Sequence, residues 1–292
     1  MRPFSLILPL LCLLTPVVAS AEAPPPFIVQ SHRGAGVLAP ENTLEAFELG
    51  WKLGTIPEAD LRTTTDGVLV AFHDATFARV VKDVSPELKN KGVKDVSFGE
   101  LSKLEVGAEM GTGFQTRKVS RMAEIFDVMR PHPERRLYLD IKQVNLSQLA
   151  ELVKEKGVGP QVILASTDLK IIREWKSLLP DSSTLLWMGG TEEKLRERFV
   201  ELRQSDFAGV TQLQIHTKQV KQPEGGSSIQ PSEAFLRETG QELKARKILF
   251  QSLPWGGSDE AVYRQLLDLG VQSFATDHPE VTMKVMREHW KP

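Results

Sequence analysis

A chain of 292 residues with 41% hydrophobic and 25% charged side chains has an ordinary globular composition, which excludes disordered, collagen-like and coiled-coil proteins. Its 36 basic and 38 acidic residues leave a formal charge of −2, so no global basic excess points to nucleic acid as a partner. The single cysteine, Cys12, lies near the N-terminus and excludes a disulfide framework, a zinc–thiolate site or a catalytic thiol in a chain that loses that segment.

The first segment reads as an export signal. Arg2 supplies a minimal positive charge, residues 6–18 are almost continuously apolar, and Ala19-Ser20-Ala21 offers the small side chains that signal peptidase requires. The apolar run is too short to span a bilayer comfortably and no basic stop signal follows, so no stable membrane anchor is expected. Residues 1–21 are therefore expected to be removed, leaving a single domain over 22–292 in an exported (periplasmic or secreted) protein. Pro24-Pro25-Pro26 forms a stiff lead-in.

Short β-rich runs then alternate with stretches of helical period. Strands are predicted over 27–33, 58–64, 136–142, 161–167, 183–188, 208–213, 248–253 and 272–277. Helices are predicted over 43–53, 122–129, 146–156, 169–179, 192–204, 231–246, 258–269 and 279–289. Val162-Ile163-Leu164-Ala165 is a continuous apolar run, as expected of a strand covered on both faces. Eight strand-then-helix units in this length predict an α/β protein of the (β/α)8 TIM-barrel type. An open doubly wound sheet fits less well, because no Gly-x-Gly-x-x-Gly turn follows the first strand.

The second unit breaks the regular beat. Thr65-Asp66-Gly67 is a turn signal, and 68–72 reads as a returning hairpin strand that ends at His73-Asp74. Residues 75–119 carry no strong period and show scattered apolar residues, so a small insertion or lid is expected after the second strand. A further mobile loop is expected over 218–232, after the sixth strand.

Chemistry in a TIM barrel gathers where the strands end. The predicted strand ends carry His32-Arg33, then Glu58 and Asp60, then Asp140 and Lys142, then Thr276-Asp277, with His73-Asp74 closing the hairpin. The i, i+2 spacing of Glu58/Asp60 and of Asp140/Lys142 points each pair to one face, here the barrel interior. Each piece alone has a plainer reading: a capped turn at His32, an edge-strand face at Glu58, a capping Asp74, a same-strand ion pair at Asp140. Together they bring to one pocket charges that a core does not bury without partners. His132, His216, His278 and His289 read as surface or structural residues. Trp187 and Trp255 read as core or rim aromatics.

The set fits metal-assisted phosphoryl transfer. Three carboxylates without thiolates are hard oxygen donors suited to one divalent cation, Ca²⁺ or Mg²⁺. Arg33 and Lys142 suit phosphate oxygens, and two histidines can serve as base and acid. A two-carboxylate glycosidase would leave Arg33, Lys142 and both histidines without roles.

The motifs Ser31-His32-Arg33-Gly34, Pro40-Glu41-Asn42-Thr43, Glu58-Ala59-Asp60, Asp66-Gly67 and His73-Asp74 resemble, in order and spacing, the glycerophosphodiester phosphodiesterase family. Leu139-Asp140-Ile141-Lys142 and Thr276-Asp277-His278-Pro279 resemble its third-strand and last-strand motifs. The resemblance implies a TIM barrel, a divalent cation and hydrolysis of small-molecule glycerophosphodiesters to sn-glycerol 3-phosphate and an alcohol. It implies His32 and His73 as the acid–base pair, Glu58, Asp60 and Asp140 as metal ligands, and Arg33 and Lys142 on the phosphate. Asp140 departs from the family's usual Glu, and an Asp-x-Lys at this place resembles the sphingomyelinase D branch. Two alternatives stay open at this point: phospholipase D-like cleavage of lysophospholipid or sphingolipid headgroups, and a non-catalytic barrel that binds phosphate esters.

Overall fold

The computed structural model describes residues 27–221, 227–256 and 259–290, so the expected export signal lies outside the described residues. Eight parallel strands close into a barrel: β1 (Ile28–Ser31), β2 (Ile56–Thr63), β3 (Leu137–Gln143), β4 (Val162–Ser166), β5 (Ser183–Met188), β6 (Gln212–Lys221), β7 (Leu249–Trp255) and β8 (Ser273–Thr276). Closure comes from β1, which pairs with β8 through Ile28↔Ser273 to Ser31↔Thr276 and with β2 through Gln30↔Ile56. The predicted TIM barrel is the observed architecture.

Helices α1 (Leu44–Lys52), α2 (Met122–Met129), α3 (Leu146–Lys156), α4 (Leu169–Leu178), α5 (Glu192–Gln204), α6 (Glu233–Ala245), α7 (Glu260–Asp268) and α8 (Pro279–His289) lie between and after the strands. Local chemistry starts most of them. Thr43, Asn145, Asp168, Thr191, Ser232 and Asp259 each accept a hydrogen bond from a first-turn N–H, which satisfies donors the helix itself cannot. Their apolar stripes pack on the outward faces of the strands. Phe47, Leu61, Phe126 and Trp175 centre one cluster, and Phe199, Phe250, Tyr263 and Phe274 another. All five residues of β4 are buried, as a strand covered on both faces requires.

Three details differ from the sequence expectation. The sixth strand starts at Gln212 rather than 208, because Asp206 and Phe207 take left-handed turns (φ 47° and 53°) after α5. The expected loop 218–232 is in part a hairpin, with Ser227–Gln230 antiparallel to the end of β6. Ile229 buries its side chain in the main core cluster while the rest of this short strand is polar, so the arm carries no apolar period. Finally, the apolar residues of 75–119 are not scattered in space. Phe77, Val80, Val93, Leu101, Val106 and Val119 gather with Val70 of the hairpin strand (Leu69–Ala71) and Phe72 just after it into a cluster of their own. Two single-turn helices, Pro86–Lys89 and Phe98–Leu101, bring them together without any regular spacing. Among the described residues no helix is long and apolar enough to cross a membrane.

Candidate active site

A cavity of about 150 Å³ opens at the C-terminal mouth of the barrel and is lined by His32, Arg33, Glu58, His73, Asp140 and Lys142. Asp60, the seventh residue singled out in the sequence, is fully buried among them. Parallel pairing explains the convergence. The register sets Asp60 beside Asp140 across β2 and β3, and Glu58 beside Tyr138, so alternation points Glu58, Asp60 and Asp140 inward together. One oxygen from each of these three carboxylates lies within 4.8 Å of the others.

Lys142 bridges two of them, its Nζ 2.8 Å from Asp140 Oδ2 and 3.2 Å from Asp60 Oδ1. Asp60 Oδ1 is buried and accepts no hydrogen bond, its charge met only by the Lys142 ammonium of that ion pair. Burial raises the Asp140 carboxyl to about 7, and Glu58 adds to the shift against the pull of Lys142. Burial also raises Glu58. Asp60 goes the other way: burial pushes it up, but Lys142, the two histidines and the Asn42 amide outweigh that and lower it. Three crowded carboxylates with one ammonium are short of positive charge, and an orphaned oxygen marks where more would fit. The donor set suits a hard divalent cation.

Asn42 clamps Asp60 at two points, donating to Oδ2 (2.8 Å) and accepting from the Asp60 backbone N–H (2.8 Å). It does so from a left-handed backbone (φ 56°), a conformation Asn tolerates better than most residues. The loop after β1 is drawn against β8 in the same way. Gly36 (φ 57°) has no room for a side chain, since a Cβ there would sit 2.1 Å from the Asp277 carbonyl oxygen. That contact sets Asp277 beside His32.

The two histidines are held differently. His32 Nδ1 lies 2.7 Å from Asp277 Oδ1, and its Nε2 faces Glu58 Oε2 at 3.9 Å. Burial alone would lower His32, but Glu58 and Asp277 overcome it and raise the imidazole to about 9. His73 Nε2 lies 3.0 Å from Arg33, which can only donate, so Nε2 accepts and Nδ1 carries the proton toward Asp74 Oδ1 at 2.8 Å. Arg79 chelates Asp74 through Nε and a terminal nitrogen, both at 2.8 Å. Burial works to raise Asp74, yet the Arg79 hydrogen bonds win and hold it at about 2. Glu41 ties the arrangement together, 2.8 Å from Arg33 and 2.7 Å from Arg79. Arg33 Nε remains buried without a partner.

Sequence reasoning missed part of this site. His216, expected to be a surface or structural residue, lines the cavity from β6, with Trp187 stacked on it at 4.9 Å and Trp255 set edgewise at 5.5 Å. Burial, with His32 and Lys142 nearby, lowers His216 to about 4. The signal was present: Gln212, Gln214 and His216 recur at i, i+2, and their misplaced strand hid it. Below them Gln214, Gln30, Gln251 and Tyr138 share hydrogen bonds that fill the barrel floor.

The family model for the glycerophosphoryl diester phosphodiesterase family matches residues 32–281. A glycerophosphodiester phosphodiesterase of Caldanaerobacter subterraneus subsp. tengcongensis is 25% identical over 274 residues, covering 89% of this chain and 98% of that protein. One from Bacillus subtilis is 24% identical, covering 94% and 93%. Among solved structures, an Oleispira antarctica phosphodiesterase in complex with the product sn-glycerol-3-phosphate superposes with a TM-score of 0.65 at 21% identity, over 89% of this chain and 96% of that one.

Proposed function

Because this chain belongs to the glycerophosphoryl diester phosphodiesterase family and is an enzyme of that family, we propose that it hydrolyses glycerophosphodiesters to sn-glycerol 3-phosphate and an alcohol, using one divalent cation, Ca²⁺ or Mg²⁺. Glu58, Asp60 and Asp140 would hold the cation, which supplies Lewis-acid polarisation of a phosphate oxygen and neutralises its charge. The orphaned Asp60 oxygen supports that choice of ligands. Arg33, which lines the cavity, offers a positive charge to the phosphate, and Lys142 offers a second from β3.

The acid–base work falls to the histidines, whose hydrogen bonds give them different parts. His73 keeps Nε2 free of a proton, because Asp74 holds the proton on Nδ1, and so acts as the base. His32 is stabilised as an imidazolium by Asp277 and turns Nε2 toward the cavity, so it donates the proton to the departing alcohol.

One observation carries this reading: six polar side chains of complementary chemistry line a single cavity of about 150 Å³, with Asp60 beneath. The test is release of glycerol 3-phosphate from glycerophosphocholine or glycerophosphoglycerol, with and without chelator. Loss of activity in chelator and its return on adding Ca²⁺ or Mg²⁺ is the expected result. Full activity in chelator would overturn the cation assignment, and no turnover of either diester would overturn the reaction. The apolar run over 6–18 and Ala19-Ser20-Ala21 further support an exported enzyme beginning at Glu22. Mass spectrometry of the expressed protein that finds Met1 retained would refute export by cleavage.

A further inference from the structure

Arg79 is not among the described residues that line the catalytic cavity, yet two residues that do line it are held through its guanidinium. Its Nε and a terminal nitrogen donate to Asp74 Oδ2 and Oδ1, both at 2.8 Å. Its terminal nitrogens also donate to Glu41, at 2.7 Å to Oε1 and 2.9 Å to Oε2. Each carboxylate hands the contact on. Asp74 accepts from His73 Nδ1 at 2.8 Å, and Glu41 accepts from Arg33 at 2.8 Å. Arg33 in turn donates to His73 Nε2 at 3.0 Å, which closes a ring of five side chains.

The ring joins three separate stretches of chain. Arg33 and Glu41 belong to the loop after β1, His73 and Asp74 follow the hairpin strand, and Arg79 comes from the insertion. Phe77, Val80 and Val81 flank Arg79 and are buried in the insertion's own apolar cluster, which fixes the backbone that carries it. Two arginines and two carboxylates balance, so the imidazole between them need carry no charge. Glu41, His73 and Asp74 bring acceptor atoms within 4.8 Å of one another, and a planar fork answers both carboxylates there as a point charge does not. The nearby Arg62 is engaged elsewhere, on the His73 carbonyl oxygen.

We propose that Arg79 is a positioning residue for the reaction: its fork fixes Asp74 and Glu41 so that His73 keeps its proton on Nδ1 and Arg33 stays aimed into the cavity. The proposal rests on the acid–base roles assigned above. Asp74 held ionised by Arg79 can only accept, so the proton it shares with His73 belongs to Nδ1 and Nε2 stays open. Without Arg79, two carboxylates face Arg33 alone. The surplus negative charge then draws a proton onto His73 Nε2, the atom that has to accept one. An ion pair serving stability alone would be worth little here, because the Arg79 side chain is 40% exposed. The insertion thus enters the chemistry through one side chain that touches no substrate.

The test uses the full chain at saturating Mg²⁺, as wild type, Arg79→Met and Arg79→Lys. Arg79→Met keeps the stem and removes the fork. Its kcat on glycerophosphocholine, per folded enzyme, is expected to fall about ten- to hundredfold, with KM changed less than about threefold and Mg²⁺ affinity unaltered. Arg79→Lys restores the charge without the fork, so its Tm should stay near wild type while kcat remains at least about fivefold low. Nitrogen NMR of histidine-labelled protein, with the His73 signals assigned from His73→Gln, should find the proton on Nδ1 in wild type and on Nε2 in Arg79→Met. A lower Tm with kcat unchanged, full kcat in Arg79→Lys, or an unmoved His73 proton would each overturn the proposal. If Arg79→Met does not fold, the kcat of Arg79→Lys decides. The NMR measurement needs no turnover, so a wild type that cleaves no diester defeats the hydrolase reading while the His73 proton still decides the part assigned to Arg79.

Discussion

Lys142 stands where the proposed cation would compete with the protein for the same oxygens. Its Nζ is 2.8 Å from Asp140 and 3.2 Å from Asp60, two of the three proposed ligands. At an effective dielectric of about 20, each contact is worth roughly 5–6 kcal/mol of Coulomb attraction before desolvation is counted. Desolvation of the ion pairs and the fifth of the lysine that stays exposed cut this sharply, to about 1–3 kcal/mol net. Lys142→Met removes the competitor while keeping most of the side-chain volume. The cation should then bind roughly ten- to hundredfold tighter. Without cation the variant should be destabilised by about 3–5 kcal/mol, because three buried carboxylates lose their only ammonium. Turnover should fall at every cation concentration, since the phosphate loses a positive partner.

Calorimetric titration with Ca²⁺ and Mg²⁺, thermal unfolding with and without cation, and kcat at saturating cation measure these three effects separately. Asp140→Asn is the control of opposite sign, with weaker cation binding and turnover partly recovered at millimolar cation. A Lys142→Met protein that binds the cation more weakly than wild type, or regains full turnover as cation is added, would refute the division of roles on β3.

Much of the barrel was legible in the sequence because its strands and helices obey different periods, and the barrel then dictates where strand ends meet. Glu58 and Asp60 were readable as a pair because alternation on β2 fixes their direction before any tertiary contact forms. Asp277 and Asn42 were visible as motif residues, but nothing in their spacing gave them tasks. Asp277 acts on His32 across a sequence separation of 245, and Asn42 reaches Asp60 from a left-handed turn. The Arg33–Glu41–Arg79–Asp74 network was illegible for a related reason. Arg79 comes from the insertion, whose fold follows from an apolar cluster without a period. Glu109 and Phe114, which border the barrel mouth beside His32 and Arg33, belong to the same insertion, and so were hidden with it.

Replacing His32 or His73 by Ala should leave the fold intact and lower kcat by about 10²–10⁴-fold, read in steady-state assays at saturating cation. A single variant that keeps over half the wild-type rate would refute the acid–base pair. Asp277→Asn keeps the hydrogen-bonding shape but removes the charge that steadies the His32 imidazolium. It should lower kcat by at least about tenfold with little change in KM or cation affinity, whereas a merely structural role would move Tm and leave kcat alone. The last prediction concerns stability and pH. His216 is held near 4 in the folded chain by burial and by the neighbouring charges of His32 and Lys142, against an ordinary value of 6.5. Its folded value is the lower one, so the unfolded chain takes up the proton first. Above pH 6.5 both forms are neutral at this residue and it adds no pH dependence. As pH falls from 6.5 toward 4 the unfolded state gains a proton that the native state refuses, and stability drops by up to about 3 kcal/mol, less whatever solvent screening removes at a partly open cavity. Urea unfolding of wild type and His216→Asn at pH 7 and pH 5 isolates this contribution, because the other titrating groups are common to both. Wild type should lose about 1–3 kcal/mol more than the variant over that interval. Equal losses would mean that the stacked, buried imidazole is protonated as readily as a free one, and the electrostatic account of this wall of the cavity would be wrong.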